Sequence, residues 1–333
     1  MGSDLTRITI ETTIRNALKN SACSPDRCVR NLIDLGLHFS KGHFQKKFFT
    51  IAQKMMSRTD SAYYTLLQDL LANTDSDRLL TFGINLGYNG CTRGARKIRE
   101  IEAREHFDIP WALTLAIDSD YLEQHEDVYH SVIREGKALG IYNYFIVPDG
   151  NPLAMLPLLQ EHDDCAFILM LAGEQVTDTL IEQCQEIKNV LFSIRLDKKS
   201  ESVCAALRWG HLLYAVHRGY SEKDLEAVTA GQWLEEALPL HPTFIFLFPK
   251  PHCPADVRQK IYQYILSVRT SQEYPVIPMD FYEDQLQIDR IISDDGCSVM
   301  FDAHGNIYTN SGIRTGDHLN LFQNKLKDIL KHL

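Results

Sequence analysis

From Trp111 onward the chain alternates a short, almost wholly apolar run with a longer helical stretch, six times in succession. The apolar runs are 112–117, 142–147, 166–171, 190–196, 212–217 and 243–248, and their starts lie 22 to 31 residues apart. Stretches such as 127–139, 174–186 and 222–237 carry helical periodicity between them. A strand without polar alternation is buried on both faces, which implies a parallel sheet covered by helices. Units this regular predict an α/β fold built as a partial (β/α)6 barrel rather than a doubly wound sheet, with right-handed crossovers.

The flanks differ. Residues 1–108 read as an all-helical region, in which Ile10, Ile14 and Leu18 recur every four residues. Further apolar faces follow at Val29, Leu32, Ile33 and Leu37, at Phe48, Phe49, Ala52 and Met55, and at Tyr64, Leu67, Leu70 and Leu71. Ser24-Pro25 and Asn73-Thr74-Asp75 supply breaks, and Thr92 is placed as the cap of a helix reaching His106. The barrel is expected over 109–285, and 286–333 form a hairpin and a helix. In that last segment Asp302-Ala303-His304-Gly305-Asn306 is a turn between two short strands, outside the repeat.

Composition narrows the setting. No apolar run approaches the ~18 residues that a membrane span needs, and the N-terminus lacks the order of a signal peptide. The 8 cysteines are scattered singly, so a reducing, cytoplasmic location is expected. Only Cys23 and Cys28 lie close together, and no second pair follows at zinc-finger spacing. The net charge of −10 is uneven, +4 over residues 1–110 and −14 over the rest. That acidic bulk argues against nucleic-acid binding, which depends on neutralising phosphates. Arg93, Arg96, Lys97, Arg99 and Arg104 alternate with Glu100, Glu102 and Glu105, the pattern of a solvated helix with internal ion pairs. Ile98 and Ile101 would dock this helix and leave Arg93, Arg96, Lys97 and Arg104 partly free for an acidic partner.

Six stretches carry a resemblance. They are Ile109-Pro110-Trp111-Ala112 at the first strand, REGKALGIYNYFI at 134–146, EHDDCAFILM at 161–170, KNVLFSIRLD at 188–197, PVIPMDFYED at 275–284 and FDAHGNIY at 301–308. Their order is similar to that of one branch of the radical S-adenosylmethionine (radical SAM) enzymes and covers most of the chain. The resemblance implies a TIM-like partial barrel of radical SAM type, with a degenerate auxiliary-cluster region at 286–333. In the family a CxxxCxxC motif after the first strand holds a [4Fe–4S] cluster through three thiolates, and S-adenosylmethionine binds the fourth iron. Those places fall here near Tyr121, His125 and Val128, and no CxxxCxxC occurs anywhere in the chain. The family's GGEP segment after the second strand reads Asp149-Gly150-Asn151-Pro152, so Gly150 and Asn151 are degenerate cofactor positions, and the auxiliary cysteine falls near Asn310. A pseudoenzyme is implied: the iron–sulfur cluster is lost, and neither cluster, S-adenosylmethionine nor metal is expected.

Ligands of parallel α/β barrels bind at the carboxyl ends of the strands. The residues there are Asp118, Asp149, Asn151, Arg195, Asp197, His217, Arg218, Lys250 and His252. One reading is a polar pocket of Asp118, Asp149, Arg195, Asp197, His217, Arg218 and Lys250 for an anionic small molecule or peptide; the other is mutually paired charges, such as Arg195 with Asp197. Asp118 with Asp120 reads as a carboxylate pair or as turn and cap residues, and His217 and His252 as metal ligands or structural side chains. The expected function is a non-catalytic accessory subunit with a protein or peptide partner, a catalytic radical SAM relative being one candidate. The alternative is a cluster-independent enzyme with Asp197 and His217 as acid and base, and a weaker one is a cluster held by the scattered cysteines.

Overall fold

The computed structural model describes residues 2–19, 60–293, 296–310 and 312–333. Cys23, Cys28, the Ser24-Pro25 break and the helices expected around 29–37 and 48–55 lie outside the described residues. In chain order the helices are α1 (Gly2–Lys19), α2 (Tyr63–Asn73), α3 (Ser76–Gly83), a π-helix (Ile84–Gly94) and α4 (Ala95–Glu105). Then follow β1 (Ala112–Asp118), α5 (Ser119–Leu139), β2 (Asn143–Asp149), α6 (Leu156–Glu161), β3 (Ala166–Leu171) and α7 (Asp178–Gln183). Next come β4 (Val190–Arg195), α8 (Ser200–Trp209), β5 (Tyr214–Tyr220), α9 (Leu225–Thr229), α10 (Gln232–Ala237) and β6 (Phe244–Pro249). The chain continues through α11 (Ala255–Ser271), β7 (Ile277–Asp280), α12 (Phe281–Ser293), β8 (Val299–Phe301), β9 (Ile307–Thr309), β10 (Gly312–Arg314) and α13 (Leu326–Leu330). All six expected strands form, and among the described residues no helix is long and apolar enough to cross a membrane.

The chain divides into two units that interleave along the sequence. The first holds residues 1–80, 172–174 and 192–284; the second holds 81–171, 175–191 and 285–333.

In the first unit the strand order is β4-β5-β6-β7, all parallel. Phe192, Ile194, Ala215, Val216, Ile245 and Leu247 are buried, with adjacent positions of one strand facing opposite sides. Helix α11 supplies Ile261 and Ile265, and Trp233 of α10 is closed off with its indole N–H donating to the Val228 carbonyl at 2.7 Å. Strand β7 was not among the six read from periodicity. Its Pro278 and its 4 residues hide the alternation, yet it pairs in parallel with β6.

In the second unit β1, β2 and β3 are parallel, with Leu113 opposite Tyr144 and Tyr144 opposite Phe167. Strand β8 pairs in parallel with the other side of β1, and β9 and β10 follow antiparallel. The C-terminal hairpin therefore extends the sheet that the repeat builds. Asp302 shapes its turn, accepting from the His304 and Asn306 amides at 2.9 Å each. The buried carboxylate of Asp289 sets the entry to both β1 and β8, accepting from the Trp111 amide at 2.9 Å and the Cys297 amide at 2.6 Å.

Thr92 caps nothing. Helix continues from Ser76 through the π-helix into α4, and the Thr92 hydroxyl donates back to the Gly87 carbonyl at 3.1 Å. The π-helix places Asn85 and Asn89 inward, where their side-chain amides donate to the carbonyls of Asp163, Asp164 and Cys165 ahead of β3. Helix α4 buries Ile98 and Ile101 as expected. Two of the cations expected to be partly free are engaged: Lys97 donates to the Lys137 carbonyl at 3.1 Å and Arg93 lies over the Tyr142 ring; Arg99 donates to the Ile292 carbonyl. Arg96 and Arg104 stay exposed, beside Glu100 and Glu105 respectively.

Two glycines of this segment should respond oppositely to alanine. A methyl at Gly90 overlaps the buried Asn143 amide, whereas one at Gly83 meets nothing within 4 Å. Urea unfolding should show Gly90→Ala destabilised by about 1–3 kcal/mol and Gly83→Ala stabilised by about 0.5–1 kcal/mol.

Candidate functional site

Polar side chains gather at the carboxyl ends of the strands, and four of them, Asp118, Asn151, Asp197 and Asp280, hold amides of the turn or helix that follows. In the first unit β4 ends at Arg195, whose guanidinium reaches Asp197 at 3.2 Å and Glu174 at 3.3 Å. The other Asp197 oxygen accepts from the Lys199 amide at 2.8 Å, at the head of α8. Arg218, on β5, pairs with Glu236, and Lys250, just after β6, lies 3.9 Å from Asp224. Each cation of the expected pocket in this unit thus has its own local carboxylate. His252 has a left-handed backbone with φ of 66° in the turn before α11.

His217 is different because it is buried. Its Nδ1 lies 3.0 Å from the Ser193 hydroxyl, and its ring packs on Phe248 at 5.9 Å. Burial pulls its pKa down to about 4; the Ser193 contact and Asp197 pull upward, and Arg195 pulls down. At neutral pH it is an uncharged imidazole enclosed with a hydroxyl.

A second buried polar group in this unit was not singled out from sequence. Asp280, the last residue of β7, accepts from the Tyr220 hydroxyl at 2.7 Å and from the Tyr282 and Glu283 amides. Burial raises its carboxyl to about 6 against the pull of those hydrogen bonds. Asp284 adds the next layer, accepting from the Asp280 amide, the Tyr262 hydroxyl and Arg269. The signal available in sequence was an aspartate directly before a helical run, which reads as a cap; its tyrosine partner lies 60 residues away.

In the second unit Asp118 caps α5, accepting from the Asp120 and Tyr121 amides at 2.8 and 2.9 Å. Asp149 pairs with Asp118 in the sheet register and is exposed. Gly150 has φ of 86°, and the Asn151 side chain caps the short turn that follows by accepting from the Leu153 amide at 3.1 Å. Gln175 donates to the carbonyls of Pro148 and Gly150 and closes this loop.

Helix α5 is kinked at His125, whose φ of −129° and ψ of 28° are non-helical. Tyr121 precedes the kink and Val128 follows it. The Tyr121 ring lies 5.3 Å from His125, 5.7 Å from His304 and 5.6 Å from Phe322, and Phe322 also contacts His125 at 4.9 Å and Tyr129 at 5.8 Å. Five rings from α5, the hairpin and the C-terminal segment thus interlock where the family resemblance puts thiolates.

No family model matches the chain, and no curated protein matches it either. Among solved structures the chain is similar to SuiB from Streptococcus suis, with 12% identity and a TM-score of 0.48 over 72% of this chain and 70% of that one. SuiB bound to the precursor peptide SuiA gives 13% identity and a TM-score of 0.48, over 72% of this chain and 69% of that one. SuiB bound to S-adenosylmethionine gives 12% and 0.47, over 72% and 68%.

The buried imidazole yields a pH test. His217 titrates lower folded than unfolded, so its contribution to stability is complete above about pH 6.5 and is lost as pH falls toward about 4. Between pH 7 and pH 5 the wild type should lose about 2 kcal/mol more unfolding free energy than His217→Gln. Urea denaturation of both proteins at the two pH values measures this, and equal losses would show that the imidazole titrates normally in the fold.

Proposed function

We propose that this chain is a radical SAM-type barrel without radical SAM chemistry, serving as a binding or accessory subunit for a protein or peptide partner. A catalytic relative of the chain is the first candidate for that partner. The observation that carries this reading is the ring cluster around Phe322. A [4Fe–4S] cluster needs three thiolates on one side of a cavity, and Tyr121, His125 and Val128 offer one imidazole and no sulfur. The residues do not fit the group. Asn151, in the place of the family's glutamate, is neutral, and its side-chain oxygen is engaged by the Leu153 amide.

The cysteines offer no substitute site among the described residues, where none joins a group of three ligand-bearing side chains. Burial also raises the thiols of Cys91 and Cys204 to about 12 and pushes those of Cys165 and Cys297 higher, which opposes the thiolate form that binds iron. The alternative of acid–base chemistry by Asp197 and His217 is less supported, because His217 and its neighbour Ser193 are both closed to solvent.

Three measurements test the proposal together. Reconstituted with iron and sulfide under anaerobic conditions, the protein should retain no cluster, and calorimetry should find no S-adenosylmethionine binding tighter than roughly 10 μM. Crosslinking in the native host should trap a protein partner in stoichiometric yield. About four irons per chain, or turnover of a small molecule by a protein that stays partnerless, would overturn it.

A further inference from the structure

The second unit holds a cluster that the strand-end reading does not use. On the amino-terminal side of β3, His130 of α5 meets Glu161 and His162 at the end of α6. His130 Nδ1 lies 3.1 Å from His162 Nε2 and 3.2 Å from a Glu161 carboxylate oxygen. Both histidines are buried, at 6% and 2% exposure, while Glu161 is open to solvent.

Hydrogen bonding alone serves this arrangement badly. If His130 carries its proton on Nδ1 and donates toward Glu161, then His162 Nε2 is the bare nitrogen and His162 Nδ1 holds the proton. That Nδ1 is buried without a partner, an orphan donor. If instead His162 donates to His130, a bare nitrogen on His130 faces a carboxylate oxygen at 3.2 Å, lone pair against anion. The first tautomer leaves a buried orphan donor, and the second sets a bare nitrogen against a carboxylate.

A cation relieves the clash at the centre, since it accepts all three lone pairs at once, while His162 Nδ1 keeps its proton and its lack of a partner as in the first tautomer. Bonds of about 2.0–2.1 Å in a tetrahedral zinc site put ligand atoms about 3.3 Å apart, and the two separations from His130 Nδ1 are close to this. The outer contacts also fit. Glu126, one turn before His130, lies 3.6 Å from its Nε2, and a carboxylate on that side favours the tautomer that leaves Nδ1 bare. Arg134 lies 3.6 Å from the other Glu161 oxygen and so favours single-oxygen ligation. The backbone of His162 is held by its carbonyl, which accepts from the Asn189 side chain at 3.1 Å and the Cys165 amide at 3.0 Å.

We infer that His130, Glu161 and His162 form a binding site for a divalent transition-metal ion, zinc foremost, with the fourth coordination position on the solvent side beside Glu161. Two imidazoles and a carboxylate suit zinc and its first-row neighbours far better than magnesium or calcium, which take oxygen ligands. The site pins α5 to the end of α6, so its ion stabilises the second unit.

The test uses the full chain after chelator treatment, titrated with zinc alone against a chromophoric competitor. One equivalent should bind, raising the thermal midpoint; Glu161→Gln should weaken binding by about tenfold or more, and His130→Gln should abolish it. Cobalt substitution should give visible bands of a tetrahedral nitrogen–oxygen site, without the near-ultraviolet charge transfer of a thiolate ligand. Circular dichroism checks that both variants fold, and the surface position of Glu161 lets that variant decide alone if His130→Gln does not. No uptake by the wild type, equal affinity in Glu161→Gln, or a thiolate charge-transfer band would each overturn the assignment.

Discussion

Strands buried on both faces confine polar chemistry to their ends. In β1, β2 and β4 the interior positions are closed to solvent and only the last residues open out. A polar group arriving at such an end finds the unpaired amides of the following helix before it finds a ligand. Asp118 and Asp280 are spent in this way, and Asp197 and Asn151 hold the amides of the next turn. Asp118 and Asp197, which read in sequence as candidate acids, therefore act first as joints between strand and helix. Asp289 acts likewise at the opposite end, where one carboxylate holds the amides of Trp111 and Cys297, 186 residues apart, ahead of two paired strands.

The buried titratable groups pull stability in opposite directions. His217 resists protonation, so acid weakens the fold through it. Asp280 and Asp289 have raised pKa values, about 6 and about 7, so their contributions are full in acid and are lost as pH rises through those values. All three contribute to the wild-type pH profile, and only variants separate them.

The ring cluster on α5 ties the C-terminal segment to the kinked helix. A kink at His125 turns the segment so that Tyr121 and Tyr129 both meet Phe322. Aromatic pairs at these separations contribute about 0.5–1.5 kcal/mol each beyond their burial.

Periodicity made the six apolar strands, the burial of Ile98 and Ile101 and the turn at Asp302 legible in the sequence, because each depends on neighbours a few residues away. Strand β7 escaped, since 4 residues around Pro278 are too short to show alternation. The π-helix escaped too, its inward asparagines making sense only against the carbonyls of 163–165, and with it went the cap assigned to Thr92. The pairing of β8 with β1, the partners of Lys97, and the meeting of His130 with Glu161 and His162 join residues 30 to 190 positions apart. Local sequence alone determined the six apolar strands and the apolar face of the helix that carries Ile98 and Ile101. Which polar groups meet was decided by the tertiary structure, because the crossover helices set where each strand end arrives, and no spacing in the chain encodes that arrival.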